Sequence, residues 1–105
     1  RNKSQLDSAV LLAVLHAEIP ESQFSVADPR LLATFLRLKE SFNSIYSINK
    51  NKSYGTALGR YPEDTYDGYK TNSRGNPWVL TTVGGAEFLY RLILLIIVIV
   101  FILAD

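Results

Sequence analysis

The chain has 105 residues, of which 48% are hydrophobic, and its 11 basic and 10 acidic residues leave a formal net charge of +1. So balanced a charge disfavours a dedicated nucleic-acid-binding protein, which needs a basic surface to displace counterions from phosphates. The sequence contains no cysteine, which excludes a disulfide scaffold, a zinc–thiolate site and a cysteine nucleophile. The hydrophobic residues are unevenly spread, because residues 92–104 are all apolar, whereas the rest resembles an ordinary water-soluble chain.

The sequence predicts three helices. The first covers about residues 5–17, where Ser4 and Asp7 approximate a capping box before apolar residues at helical spacing. The second has the clearest signal, because Asp28 is a good N-cap and Pro29 stands at the first helical position, where its missing N–H costs nothing. Its apolar stripe is formed by Leu31, Phe35, Leu38, Phe42 and Ile45, and is widened by Leu32 and Leu36.

The third predicted helix begins with Asn76 as its cap and Pro77 just inside, and it runs through Leu89. The pair Gly84–Gly85 weakens it, since each glycine costs about 1 kcal/mol relative to alanine. Between the second and third helices, residues 47–75 show little periodicity and are rich in glycine and tyrosine. So long a loop indicates either function or disorder, and its aromatic residues favour function.

Within this loop, residues 59–66 (GRYPEDTY) place a cation, two carboxylates and two phenols around one rigid proline. Sugars suit such a surface, because their hydroxyl groups need planar, bidentate partners and their C–H faces stack on aromatic rings. The only tryptophan, Trp78, lies just beyond the loop. A simpler interpretation stays open at this point, in which Arg60 pairs with Asp64 merely to order a turn and the tyrosines are packing residues.

Signatures of catalysis and of cofactor binding are weak. Glu63 and Asp64 are adjacent, so their side chains point in different directions, whereas the two carboxyl groups of a glycosidase must flank one bond. His16 is the sole histidine and is better explained as a helix-end residue than as a ligand or base. The chain has no glycine-rich phosphate loop and no nucleophile elbow. The sequence therefore predicts no cofactor, no metal site and no catalytic residue of its own.

Two N-x-S/T triplets occur, at Asn2 and Asn51. They permit N-glycosylation if the chain enters the secretory route. Such triplets arise often by chance, so they identify candidate positions and no more.

Several segments, taken in chain order, resemble the glucoamylases, family 15 of the glycoside hydrolases, and most of all their yeast branch. GRYPEDTY followed by GNPW is the most specific part of the resemblance, which covers nearly everything between residues 7 and 91. The segments that carry it are LLAVLH (11–16), DPR (28–30), SFNSIY (41–46), GRYPEDTY (59–66), GNPW (75–78) and AEFLY (86–90).

The resemblance implies an all-α fold, a portion of an (α/α)6 barrel with about three helices and a long active-site loop. It implies inverting exo-hydrolysis of α-1,4-glucosidic bonds, which releases glucose from the non-reducing ends of starch- or glycogen-type glucans and malto-oligosaccharides. Arg60 would hydrogen-bond the non-reducing glucosyl unit, and Asp64 would support Arg60. Tyr61 and Tyr66 would shape the pocket, and Trp78 would form part of its apolar wall. A secreted or vacuolar location follows from the same resemblance.

The chain also departs from the family. The family's general acid lies in an acidic DLWEE segment and its general base lies well downstream, and neither segment occurs among these 105 residues. We therefore expect the isolated chain to be inactive. The family pattern stops after Arg91, which divides the chain into a partial catalytic domain, residues 1–91, and a hydrophobic segment unlike the family, residues 92–105.

Thirteen helical residues from Leu92 to Ala104 span about 20 Å, short of the roughly 30 Å hydrocarbon core of a bilayer. Three explanations remain for this segment: a truncated or frame-shifted product, an altered sequence, and a short membrane anchor. The anchor would make the chain a small membrane-associated protein with a vestigial glucoamylase segment. Because the similarity ends abruptly, the sequence favours the first explanation.

Overall fold

The computed structural model describes three ranges of the chain, residues 3–17, 25–50 and 55–104. These ranges contain no β-strand, and the all-α prediction is confirmed. They form three α-helices and one 3₁₀-helix: α1 (Ala9–Ala17), α2 (Pro29–Ile45), the 3₁₀-helix (Ser47–Lys50) and α3 (Val79–Leu103).

Helix α2 begins where the sequence predicts. The Asp28 carboxylate accepts a hydrogen bond from the backbone N–H of Arg30 at 2.9 Å, which satisfies one of the free donors of the first turn. Four of the five stripe positions are buried, and Ile45 is partly buried against them. Leu36 was expected to widen the stripe but is 52% exposed, because no other element in the described part of the chain covers its face of α2.

Helix α1 begins at Ala9, so the predicted start near residue 5 is wrong. Gln5 has a φ of 65°, a left-handed conformation that interrupts a right-handed helix. The Asp7 carboxylate, two residues before the helix, accepts a hydrogen bond from the Ala9 N–H at 2.8 Å. Ser4 closes a separate turn, in which its hydroxyl oxygen accepts from the Leu6 N–H at 3.2 Å.

Helix α3 begins at Val79 and is not capped by Asn76, which corrects the predicted start. The backbone at Trp78 is extended, with φ −111° and ψ 140°, because its N–H donates to the Leu58 carbonyl at 2.9 Å. A contact with the loop therefore delays the helix by two residues.

The two glycines do not interrupt α3. Both are buried, and their missing side chains admit close neighbours from other elements. A Cβ on Gly84 would lie 2.7 Å from Leu12 Cδ2, and one on Gly85 would lie 2.6 Å from Leu58 Cδ1. The cost in helix propensity is thus offset by close packing of α1 and of the loop against α3.

The core lies where the three helices meet the loop. The rings of Phe35 and Phe88 join α2 to α3, with centroids 5.2 Å apart. The rings of Phe42 and Tyr46 stack at the end of α2, with centroids 5.2 Å apart and planes 6° from parallel. Leu58 of the loop is buried in the same cluster, so the loop is part of the core.

Helix α3 continues without a break past Arg91, whose guanidinium donates to the Leu15 carbonyl at 3.3 Å. Leu92 packs against the core, whereas the apolar side chains from Ile93 to Leu103, apart from the half-buried Leu95, are between 47% and 78% exposed. By length and composition alone, the 25-residue helix could cross a membrane, although its first half also packs one face against the core. The division of the chain after residue 91 stays a prediction.

Replacing Phe88 with alanine tests the position of the core. Phe88 is 0% exposed, so we expect Phe88→Ala to lower the free energy of unfolding by about 3–5 kcal/mol. Its neighbour Leu89 is 37% exposed, and Leu89→Ala should cost less than about 1 kcal/mol. Urea unfolding followed by circular dichroism measures both, and equal losses would contradict the burial of Phe88 and the exposure of Leu89 on α3.

Candidate functional site

The loop before α3 (Val79–Leu103) contains a tight ion pair. Nε and Nη2 of Arg60 donate to the two carboxylate oxygens of Asp64, each at 2.9 Å. This fork fixes the plane of the guanidinium as well as its position. The Asp64 side chain is only 3% exposed, whereas that of Arg60 is 37% exposed. The arginine therefore reaches solvent from a buried carboxylate support.

Hydrogen bonding keeps Asp64 ionised. Burial raises the pKa of its carboxyl, but hydrogen bonds from Arg60 and from the Tyr66 N–H outweigh burial and hold the pKa below its ordinary value of 3.8. The Tyr66 N–H lies 3.1 Å from Oδ1 of Asp64. The hydrogen bond to Asp64 in turn raises the pKa of Arg60. Both members of the pair therefore carry their charges at neutral pH.

Two aromatic rings flank the guanidinium. Cζ of Arg60 lies 4.8 Å from the ring centroid of Tyr61 and 5.4 Å from that of Trp78. A cation within about 6 Å of an aromatic face is attracted to it. Both rings are half-buried, so each keeps some surface for a ligand. The site thus combines directed N–H donors with two apolar faces.

Tyr46 fills the space that Gly59 leaves open. A Cβ on Gly59 would collide with the Tyr46 hydroxyl, so the backbone beside Arg60 comes this close only because residue 59 is glycine. The hydroxyl donates to the Asn76 carbonyl at 3.3 Å. Burial, and then the charge of Asp64, raises the pKa of Tyr46 to about 12, so the hydroxyl remains a donor well into the alkaline range. Sequence reasoning assigned Tyr46 no role, although its spacing from Phe42 on α2 indicates burial.

The loop beyond the pair is closed by its own hydrogen bonds. The N–H of Ser73 donates to the Thr65 carbonyl at 2.8 Å, which brings the two ends of the loop together. Gly75 has a φ of +70°, and a Cβ there would lie 2.8 Å from the Asp64 carbonyl oxygen. Glycine at position 75 therefore lets the returning chain pack directly against the backbone of Asp64.

The structure brings together four of the five predicted binding side chains, those of Arg60, Tyr61, Asp64 and Trp78. The fifth, Tyr66, contributes its backbone N–H, while its 42% exposed side chain donates to the Gly68 carbonyl at 3.0 Å. The predicted glycosylation positions, Asn2 and Asn51, lie outside the described residues.

The adjacent carboxylates have separate partners. Asp64 is bound to Arg60, and Oε1 of Glu63 accepts a hydrogen bond from the Ser4 N–H at 2.7 Å. His16 is exposed near the end of α1. In residues 3–17, 25–50 and 55–104, no group of three or more His, Asp or Glu side chains could hold a metal ion.

Comparison with known proteins places the chain among the glycosyl hydrolases. The family model described as "Glycosyl hydrolases family 15" matches residues 1–96. The chain is 43% identical over 94 residues to a glucoamylase of Blastobotrys adeninivorans, with 84% of this chain and 15% of that protein covered. It is 45% identical over 94 residues to glucoamylase 1 of Rhizopus oryzae, with 88% and 15% covered. The chain thus spans less than a fifth of the length of these relatives.

A solved structure shows the same arrangement of helices. The chain superimposes on a glucoamylase from Saccharomycopsis fibuligera with a TM-score of 0.76 and 37% identity, over 86% of this chain and 19% of that one. The prediction of a portion of an (α/α)6 barrel is therefore confirmed.

Substituting Asp64 tests the ion pair. We expect Asp64→Asn to lower the free energy of unfolding at neutral pH by about 1–2 kcal/mol, because the partly solvent-screened Arg60 loses a charged acceptor. The folded-state pKa of Asp64 lies below 3.8, so ionised Asp64 stabilises the fold fully above that value, and its contribution is lost as pH falls through the folded-state pKa. Urea unfolding at a series of pH values should show the difference shrinking in acid. A constant difference would contradict the pairing.

Proposed function

Because the chain belongs to family 15 of the glycosyl hydrolases, we propose that it forms part of the glucose-binding pocket of a glucoamylase. The reaction of that enzyme is inverting exo-hydrolysis of α-1,4-glucosidic bonds, which releases glucose from the non-reducing ends of starch- or glycogen-type glucans. The observation that carries the proposal is the forked Arg60–Asp64 pair, flanked by the rings of Tyr61 and Trp78.

Arg60 makes the direct polar contact with sugar in this proposal. A guanidinium has five N–H groups, and the fork to Asp64 occupies two of them. Nη2 also donates to the Tyr61 hydroxyl at 3.5 Å, and the remaining N–H groups can donate to neighbouring sugar hydroxyl groups from the part of the side chain that is exposed. Because Asp64 neutralises the arginine, the pocket offers directed hydrogen bonds to an uncharged ligand rather than a net charge.

Tyr61 and Trp78 supply the apolar part of the pocket. Their rings lie within 6 Å of the arginine carbon, so a sugar bonded to Arg60 would have an aromatic face within reach. Tyr66 acts through its backbone, since its N–H helps to hold Asp64 under the arginine.

We also propose that the 105-residue chain does not hydrolyse glucans by itself. Inverting hydrolysis needs a general acid and a general base about 6.5–9.5 Å apart across one bond. Asp64 is a poor general acid, because its pKa is held below the ordinary value and its oxygens are committed to Arg60. Glu63 is bonded to the Ser4 backbone N–H. Neither carboxylate is placed to perform these roles, so the chain binds sugar without cleaving it.

The fluorescence of Trp78, the only tryptophan, provides a test in the purified chain. Maltose should change the emission saturably, and Arg60→Lys should weaken binding about tenfold or more, because lysine cannot reproduce the planar fork. The matched control is Arg30→Lys, since Arg30 pairs with Asp28 at 2.8 Å but is 80% exposed and lies on α2 (Pro29–Ile45). Equal affinity in the Arg60 variant would contradict the binding proposal. Release of glucose from maltose would contradict the proposed inactivity.

A second candidate function rests on the exposed end of α3. In this alternative the chain enters the secretory route and is a small membrane-associated protein with a vestigial glucoamylase segment. The exposed apolar side chains between Ile93 and Leu103 support it. Eleven helical residues rise about 16 Å, roughly half of a hydrocarbon core. Because one face of the first half of α3 packs against the core of the chain, the contact would be made by the second half and would reach into one leaflet.

Expression in yeast with carbonate washing and flotation of the membranes tests this alternative. It expects the chain to float with the membranes, and Ile97→Glu combined with Val100→Glu to release it, because a charge within the hydrocarbon region costs about 2.5–3.5 kcal/mol. Leu36→Glu, at an exposed apolar position on α2, is the matched control and should leave flotation unchanged. Complete extraction of the wild-type chain from the membranes would exclude the alternative.

The same expression tests glycosylation at Asn51. If the Asn51→Gln chain shows no loss of glycan mass relative to the wild-type chain, glycosylation at Asn51 is contradicted.

A further inference from the structure

We propose that Ser8, at the start of α1 (Ala9–Ala17), is a positioning residue that sets the placement of Arg60 for sugar binding. This inference rests on the proposed function, because it concerns the same arginine. Ser8 makes no contact with the guanidinium described above and acts only through the backbone that carries it.

Ser8 holds two consecutive carbonyl groups of the loop. Its backbone N–H donates to the Arg60 carbonyl at 2.8 Å, and its hydroxyl donates to the Gly59 carbonyl at 2.7 Å. The side chain is among the most buried of the described residues, at 1% exposure. A single residue thus ties the peptide groups beside Arg60 to an element 51 positions earlier in the chain.

The element that carries Ser8 is itself anchored. The Ser8 carbonyl accepts hydrogen bonds from the N–H groups of Leu11 and Leu12, at 3.1 and 3.3 Å. Leu11 is 1% exposed in the core. Binding groups supported by a packed helix are held more accurately than groups on a free loop. Ser8 therefore transfers the rigidity of α1 to Gly59 and Arg60.

The two ends of the arginine have separate supports. Asp64 fixes the guanidinium with two bonds of 2.9 Å, but this fork alone leaves the backbone end free to shift. Ser8 fixes the backbone end, and Tyr46 closes the other side of Gly59, where a Cβ would collide with its hydroxyl. Bidentate contact with a ligand tolerates displacements of only about 0.5 Å. Both supports are thus needed for one productive placement.

The consequence of removing the hydroxyl is specific. In Ser8→Ala the buried Gly59 carbonyl loses a hydrogen bond, while the backbone bond to Arg60 is retained. The Gly59–Arg60 peptide can then tilt, which shifts the guanidinium relative to the Trp78 ring. In the wild-type chain, Cζ of Arg60 lies 5.4 Å from the centroid of that ring. Both sugar binding and the environment of Trp78 should change in consequence.

The experiment compares Ser8→Ala and Ser8→Cys with the wild-type 105-residue chain. Leu38→Val is the control, because Leu38 is fully buried in the middle of α2 and its truncation lowers stability without removing any hydrogen bond to the loop. Circular dichroism melts establish conditions in which every variant is folded. Under those conditions, acrylamide quenching of Trp78 is measured without sugar, and maltose affinity is measured by titration.

We expect Ser8→Ala to weaken maltose binding about fivefold, the equivalent of one ordinary hydrogen bond, and to change the quenching of Trp78. Ser8→Cys should fall between alanine and wild type, because a thiol is a weaker donor of similar size. Leu38→Val should match the wild-type chain in both measurements despite its lower stability.

If the folded Ser8→Ala chain shows the same quenching of Trp78 and the same affinity for maltose as the wild-type chain, the proposal is overturned. The hydroxyl then has only a structural role. If Ser8→Ala does not fold, Ser8→Cys decides in the same way. If the wild-type chain itself does not bind maltose, the proposed function fails, and the quenching of Trp78 alone decides whether Ser8 positions Arg60.

Discussion

The buried backbone of residues 58–60 constrains the whole structure, because polar groups removed from water need hydrogen-bond partners. Leu58 finds them on α3 (Val79–Leu103), where the Thr82 hydroxyl accepts from its N–H at 2.9 Å and the Thr81 hydroxyl donates to its carbonyl at 2.7 Å. Gly59 and Arg60 find theirs on Ser8. Helices α1 and α3 therefore cannot move away from the loop without leaving these backbone groups unpaired, and the site is built on this backbone.

The sequence predicted best where structure is local. Asp28 caps α2 through a hydrogen bond two residues away, and a stripe of period 3.6 indicates its own buried face. The starts of the other helices depend on distant contacts. The backbone at Trp78 stays extended because its N–H donates a hydrogen bond to the carbonyl of Leu58, twenty residues earlier. Helix-capping rules consider only neighbouring residues, so they do not predict this contact. The φ of 65° at Gln5 has no signature in the residue type.

The same distinction applies to the site. Arg60 and Asp64 stand four residues apart around a proline, so their pairing could be predicted from the motif. The supports of Arg60 could not, because Ser8 lies 51 residues away in sequence and is an ordinary serine in composition. The two interpretations of Arg60, as a residue that orders the turn and as one proposed to bind sugar, are compatible in this geometry. The fork that orders the turn is the same contact that holds the guanidinium at the surface.

Helix α3 has a first part that packs against the core and a second part whose apolar side chains are exposed. The two parts differ in composition but form one continuous helix. Before Leu92, one face packs closely, because Gly84 and Gly85 let Leu12 and Leu58 approach. After Leu92, apolar side chains are exposed around the helix. A helix that is apolar on all sides is one that is surrounded on all sides, and contact with a single neighbouring face would leave most of that surface in water. Helices of this kind occur in the core of a larger protein or in a membrane, so the composition of residues 93–103 calls for neighbours on every side without specifying which kind.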